Sequence, residues 1–447
     1  MTVDAVRARV RELMPALRAD LEDLVRIQSV SADPVRAPEV ERSAAATAAL
    51  FDAEGFTTEI VRAHDGAPPA VVGEKRGPAG APTVLLYAHH DVQPENDAAD
   101  WDSPPFEPTE RGDRLHARGA ADDKAGIAAH LAAVRVWGDD LPVTVRLFVE
   151  GEEEVGSPTL PALLTAQHER LEADVIVIAD SANWDIGVPA LTTSLRGLVS
   201  ADVEVRTLTH AVHSGMWGGL VPDALMALTR LLASLHDDAG DVAVAGLYGG
   251  PAADVDYPED RLRTESGIAP GVDWIGTGAA VERLWTKPAV TVTGIDAPRV
   301  TGASNTLTPV ARAKVTVRLA PGDTVDNAAA ALTAHLEQHV PWHAQLEVTV
   351  VDRAEATQVD ASGPAYDAAR AAFRDAWGGV DPVDMGVGGS IPFIAEFVEA
   401  FPKASVLVTG VEDPDTRAHG ANEGLHLGEF ERVCVAEALL LGNLGAG

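Results

Sequence analysis

The chain is predicted to be an α/β protein in which a mostly parallel sheet, covered by helices and split in sequence, surrounds an inserted α+β domain. Three observations predict this. Short aliphatic runs alternate with helical patterns up to about residue 193, the texture changes at residue 194, and one more aliphatic run returns after residue 355. Strands that alternate with helices build a largely parallel sheet covered on both faces.

The elements follow in order. Val6, Val10, Leu13, Leu17, Leu21, Leu24 and Val25 recur at helical spacing over residues 4–28. Further helical patterns occupy 42–54, 124–137 and 158–170, between aliphatic runs at 83–88, 143–149 and 175–178. Residues 199–205 alternate as a half-buried strand, and 221–236 is strongly amphipathic. Strands at 289–294 and 312–319, a helix at 324–339 and a strand at 345–351 complete the insert, with 240–285 expected as a long loop. Helices at 364–377 and 429–441 flank the returning strand at 405–408. The expected division is therefore 1–193 with 355–447, a catalytic domain, around an insert of 194–354.

Composition narrows the function. At 447 residues two domains are expected, and 46% hydrophobic with 23% charged residues is ordinary for a globular chain. A net charge of −34 argues against nucleic acid and anionic membranes as partners. No apolar run approaches the ~18 residues that span a bilayer, and the first residues lack a secretory layout. Cys434 is alone, a small core residue rather than part of a disulfide framework. The expected location is the cytoplasm.

The aliphatic runs end on acids and histidines. Thr83–Ala88 leads into His89-His90-Asp91, 143–149 into Glu150-Gly151-Glu152-Glu153-Glu154, and 175–178 into Asp180. The 405–408 run leads to His419, and Asp122-Asp123 precedes a helical pattern. Strand carboxyl ends in an open α/β sheet share one rim, where ligands bind. His and carboxylate donors without Cys suit Zn²⁺, Mn²⁺ or Co²⁺, so the rim reads as the site of a two-metal hydrolase. Each piece has a plainer explanation: surface polarity for His-His-Asp, helix capping for Asp122-Asp123, a solvated loop for 150–154. Together they make coincidence a poor account. His89 and Asp91 share a face, which lets Asp91 accept the second ring N–H of a metal-bound His89. His335 and His339 stand at i, i+4, but the intervening Glu337 is misplaced for a zinc-protease helix, and an exposed amphipathic helix is expected.

These residues resemble the M20 metallopeptidases, especially the carnosinase-like dipeptidases. The likeness lies in Tyr87-Ala88-His89-His90-Asp91-Val92-Gln93-Pro94, Arg118-Gly119-Ala120-Ala121-Asp122-Asp123-Lys124 and Glu150–Ser157. His213-Ser214-Gly215-Met216-Trp217-Gly218-Gly219, Gly388-Gly389-Ser390-Ile391-Pro392 and the His419 segment complete it. The resemblance implies two divalent ions, zinc first with manganese or cobalt as alternatives. His89 and Asp180 would hold one, Glu154 and His419 the other, and Asp122 both. It implies Glu153 as general base and Asp91 behind His89. The insert becomes a lid that forms a homodimer, with His213 and Asn305 reaching the partner subunit's active site. Arg318 and Ser390 would grip the substrate's C-terminal carboxylate. Asp180, where related deacylases often carry Glu, points to a small-peptide substrate. One departure is Val387, where such dipeptidases commonly carry a Glu for the free amine; it favours an amidase or deacylase of N-acyl amino acids as the alternative.

Overall fold

The computed structural model describes residues 1–447 except 252, 254, 390, 391 and 447. It divides into two compact units: Met1–Thr193 with Val359–Met385 and Pro392–Gly447, and Ser194–Gln358 with Gly386–Ile391. The chain thus returns to the first unit at residue 359 rather than 355, and it crosses to the second again over 386–391.

The first unit is built on a sheet in the order Thr57–Val61, Ala70–Lys75, Thr144–Glu150, Thr83–His89, Val175–Ile178, Ser405–Val408, Ala190–Leu195. The four strands from Thr144–Glu150 to Ser405–Val408 run parallel, and their neighbours on either side are antiparallel. These four are the strands whose aliphatic runs stand out in the sequence, because parallel strands buried on both faces need continuous Val, Ile and Leu. Register aligns their carboxyl ends: His89 pairs with Glu150, Tyr87 with Ile178, and Val408 with Ile178.

Helix Lys124–Trp137 lies against the Thr83–His89 strand and packs beneath Val3–Val25 and Leu427–Ala446. Ala, Ile, Leu and Val fill most of its buried positions, so it reads as a core helix, not a surface one. Phe393 from Pro392–Ala400 stacks on Tyr87 with centroids 4.6 Å apart, and Phe397 meets the same ring edge-on at 5.1 Å. The helical pattern at 158–170 breaks into Leu160–Ala166 and His168–Leu171.

The second unit is an antiparallel sheet in the order Ala289–Asp296, Val310–Leu319, Gly197–Arg206, Gln345–Ala354. Val199, Val203, Val315 and Val317 bury one face against Leu228 and Leu231 of Ala224–Ala233 and Leu332 and Leu336 of Val325–His339. Asp223 caps the former helix, accepting from Met226 N at 3.0 Å. Two expectations are corrected here. The 240–285 stretch is not all loop, since Glu259–Ser266 is helical and held by i,i+4 pairs between Glu259 and Arg263 and between Arg261 and Glu265. His335 is buried rather than exposed; its ring meets Ser234 Oγ at 3.1 Å and stacks on His339.

Candidate metal centre

Each element of the parallel rim delivers one donor. His89 ends its strand fully buried, with Nδ1 3.1 Å from the Asp91 carbonyl and 3.5 Å from its Oδ1. That leaves Nε2 facing the rim, 3.0 Å from Asp122 Oδ1 and 3.8 Å from Asp180 Oδ1. The other oxygen of Asp122 lies 3.1 Å from His419 Nε2, which is 3.3 Å from Glu154 Oε2. Glu153 Oε2 stands 4.0 Å from His89 Nε2. The structure therefore brings His89, Asp122, Glu153, Glu154, Asp180 and His419 together from five separate segments.

The acidic run at 150–154 divides its labour. Glu150 accepts from Tyr87 Oη at 3.3 Å and from Ser157 Oγ, and Glu152 accepts from Thr159 N at 2.7 Å. Only Glu153 and Glu154 join the His89 and His419 cluster. Gln93 fixes Glu154, its backbone N donating to Oε1 at 2.9 Å and its Nε2 to Oε2 at 2.7 Å. Asp91 holds the same turn, accepting from Glu153 N and Glu154 N at 3.2 Å each. His419 is exposed and takes φ +63°, in a loop where Arg417 and Asn422 are also left-handed. Such conformations cost free energy and gather at functional sites. His90 points away, its Nε2–H donating to the Pro69 carbonyl at 2.9 Å, and burial lowers its pKa to about 4.

Two sets of donors lie within 4.8 Å of one another, His89 with Asp122 and Glu154, and His89 with Asp123 and Asp180. Asp123 is a residue that the sequence reading left as a cap. It makes no capping hydrogen bond, and its Oδ2 accepts from His89 N at 3.2 Å. The electrostatics fit a cation-binding site. Burial pushes Glu154 up to about 10, with Asp122 adding to it. Burial likewise raises Glu153 to about 9 and Asp180 to about 6, against the opposing pull of His89. Burial also works against Asp122, yet hydrogen bonds from His419 and His89 hold it well below the usual range. Carboxylates crowded out of water resist ionising together unless positive charge offsets them, and an all-oxygen-and-imidazole set is what Zn²⁺, Mn²⁺ or Co²⁺ accepts.

Comparison with known proteins agrees with this chemistry. The pattern of peptidase family M20/M25/M40 matches residues 85–442, most of the chain. The chain belongs to that family. A cysteinylglycine-S-conjugate dipeptidase of Corynebacterium striatum is 34% identical over 434 residues, covering 95% of each chain. The Beta-Ala-His dipeptidase of Rattus norvegicus is 29% identical over 436 residues, 92% of this chain and 85% of that one. The crystal structure of human carnosine dipeptidase 1 superposes with a TM-score of 0.82 at 25% identity, covering 100% and 99%.

In this M20 metallopeptidase the predicted residues His213, Asn305 and Arg318 sit in the second unit. His213 is exposed at the start of Ser214–Trp217, its Nδ1 accepting from Gly215 N at 3.0 Å. Asn305 lies beside it: its carbonyl accepts from Ser214 N at 2.9 Å, and His213 pairs with Thr306. Arg318 is half-buried on Val310–Leu319, opposite Leu198 and Ala289. Ser390 lies outside the described residues. Sequence reasoning missed Gln93 and Glu423. The signal for Gln93 was available, since 89, 91 and 93 alternate onto one face of an extended segment.

Proposed function

We infer that this metallopeptidase is a dipeptidase: it hydrolyses the amide bond of small peptides that carry a free C-terminal carboxylate, using two divalent ions. The observation that carries this reading is Asp122, whose two oxygens lie 3.0 and 3.1 Å from His89 and His419. A carboxylate so placed can be shared by two cations. His89 and Asp180 would hold one and Glu154 and His419 the other, with zinc as the metal that best matches the donors. Bound there, the ions supply Lewis acidity and a water acidic enough to ionise near neutral pH.

Glu153 is the general base in this account. Its carboxylate takes the proton of the attacking water and returns it to the leaving amine. Burial raises its pKa above the usual carboxylate range, with Asp180 and Asp91 adding to the shift and His89 opposing it, which strengthens the carboxylate as a base. Asp91 keeps the 153–154 turn and the His89 ring in place. Arg318 and Ser390 orient the substrate's carboxylate, and His213 and Asn305 reach the partner subunit's site, where His213 donates to the developing oxyanion. The second unit acts as a lid and as the interface of a homodimer, with His213 of the partner subunit entering the site. Cytoplasm remains the expected location. No helix among the described residues is long and apolar enough to cross a membrane.

The dipeptide substrate draws support from the named activities of the relatives above. Val387 favours a second reading, hydrolysis of N-acyl amino acids, because a neutral side chain cannot pair with an ammonium. Purified enzyme offered free dipeptides, including Cys-Gly and β-Ala-His, and N-acetyl amino acids separates the two. Preference for the free dipeptides is expected; preference for the N-acetyl compounds would install the second reading.

A further inference from the structure

The geometry points to Glu412 as the residue that receives the substrate's free amino group. This rests on the dipeptidase reading above and adds a specificity determinant to it. The parallel register that pairs Val408 with Ile178 continues past both strand ends: Glu412 bridges Ala182 at the same offset. Its backbone is fixed there, with the carbonyl accepting from Asn183 N at 2.8 Å and the amide donating to Ser181 O at 3.4 Å. Gly410 makes this approach feasible, since a Cβ at that position would lie 1.6 Å from the Ser181 carbonyl oxygen. Glu412 is thus carried to the rim two residues beyond Asp180.

Among the described residues no donor holds its carboxylate. The charges that act on it most are Asp122, Asp180, Glu423 and Asp413, all acids. Two of those are matched by arginines: Asp413 by Arg114 at 3.0 Å and Glu423 by Arg118 at 2.7 Å. Asp122 and Asp180 belong to the metal cluster. Among the described residues Glu412 alone of this group has neither a cation nor a hydrogen-bond donor at its side chain. Partly buried carboxylates are rarely left so, because the charge loses hydration without a return. A primary ammonium delivered by the ligand supplies both the charge and the donors. An ammonium-bearing peptide end would therefore be preferred over an acylated one, despite Val387.

The test compares wild type with Glu412→Gln and Glu412→Ala on a free dipeptide and its N-acetyl counterpart, with elemental analysis of each protein. The expected result is a KM for the free dipeptide raised about 10- to 100-fold, as loss of a hydrogen bond to a charged group implies. kcat, metal content and the KM of the N-acetyl compound (or its Ki, where it is not cleaved) stay near wild type. Equal losses on both compounds, reduced metal content, or an unchanged KM would each overturn the assignment. A wild type that refuses free dipeptides altogether would overturn the dipeptidase reading itself, a distinguishable outcome.

Discussion

Arg118 donates to the Glu423 carboxylate at 2.7 Å, and neither side chain reaches solvent. The same carboxylate accepts from the backbone N of Gly119, Ala121 and Asp122 at 3.1, 2.9 and 3.2 Å. Glu423 lies four residues after His419, so this one side chain ties the Asp122 segment to the His419 loop. Two donors far apart in sequence are thereby set against each other before any cation arrives.

Replacing Glu423 by Ala leaves the Arg118 charge buried and four donors unmatched. Breaking such a pair costs about 3–5 kcal/mol. The expected outcome is a markedly lower thermal midpoint and weaker metal retention. Glu423→Gln keeps the acceptor oxygen and should recover part of the stability. A fluorescence or calorimetric melt of the three proteins measures it, and unchanged melting of Glu423→Ala would refute the tie.

Glu153→Gln removes the base and keeps the shape of the side chain. It should retain both metals by elemental analysis while kcat falls about 10²- to 10⁴-fold, the usual worth of a general base. Turnover close to wild type would remove Glu153 from the proton path.

The dimeric account of His213 has its own test. His213→Ala and Glu153→Gln homodimers should each be nearly inactive. Co-refolded or co-expressed hybrids, isolated by two tags, should regain activity, because one of the two sites then carries both intact groups. Verified hybrids without activity would confine His213 to its own subunit or exclude it.

How stability depends on pH follows from His130, which lies in the core helix with Nε2 2.8 Å from the Tyr87 carbonyl and Nδ1 against Glu437. Burial alone would lower its pKa, but the Glu437 carboxylate outweighs burial and raises it. A raised folded-state value means the stabilisation is complete below the unfolded value of about 6.5 and is lost as pH rises through the folded one. Wild type should therefore lose stability relative to His130→Gln as pH rises from about 6.5 into the alkaline range. A difference independent of pH across that window would show that the pair does not titrate with folding.

Much of the fold and of the candidate centre was legible because its signals were strong and local. The four central strands are continuous aliphatic runs, and the acids and histidines beyond them interrupt that pattern abruptly. The strands Thr57–Val61 and Ala70–Lys75 were not legible: they lie toward the sheet edge, and only Val61 of the outer one is buried, so it needs little apolar pattern. Helix Glu259–Ser266 carries no apolar stripe and relies on ion pairs, which reads as loop. Glu423 and Glu412 escaped for a different reason. Their importance arises from what distant loops bring beside them, and nothing in the local spacing records that.

Metal stoichiometry decides whether the rim holds a pair of cations. Protein purified without chelator and reconstituted with Zn²⁺ should contain two ions per chain by elemental analysis, and Asp122→Ala, still folded by circular dichroism, should hold fewer than one. A wild type that never exceeds one ion per chain, or an Asp122→Ala protein that keeps two, would contradict it.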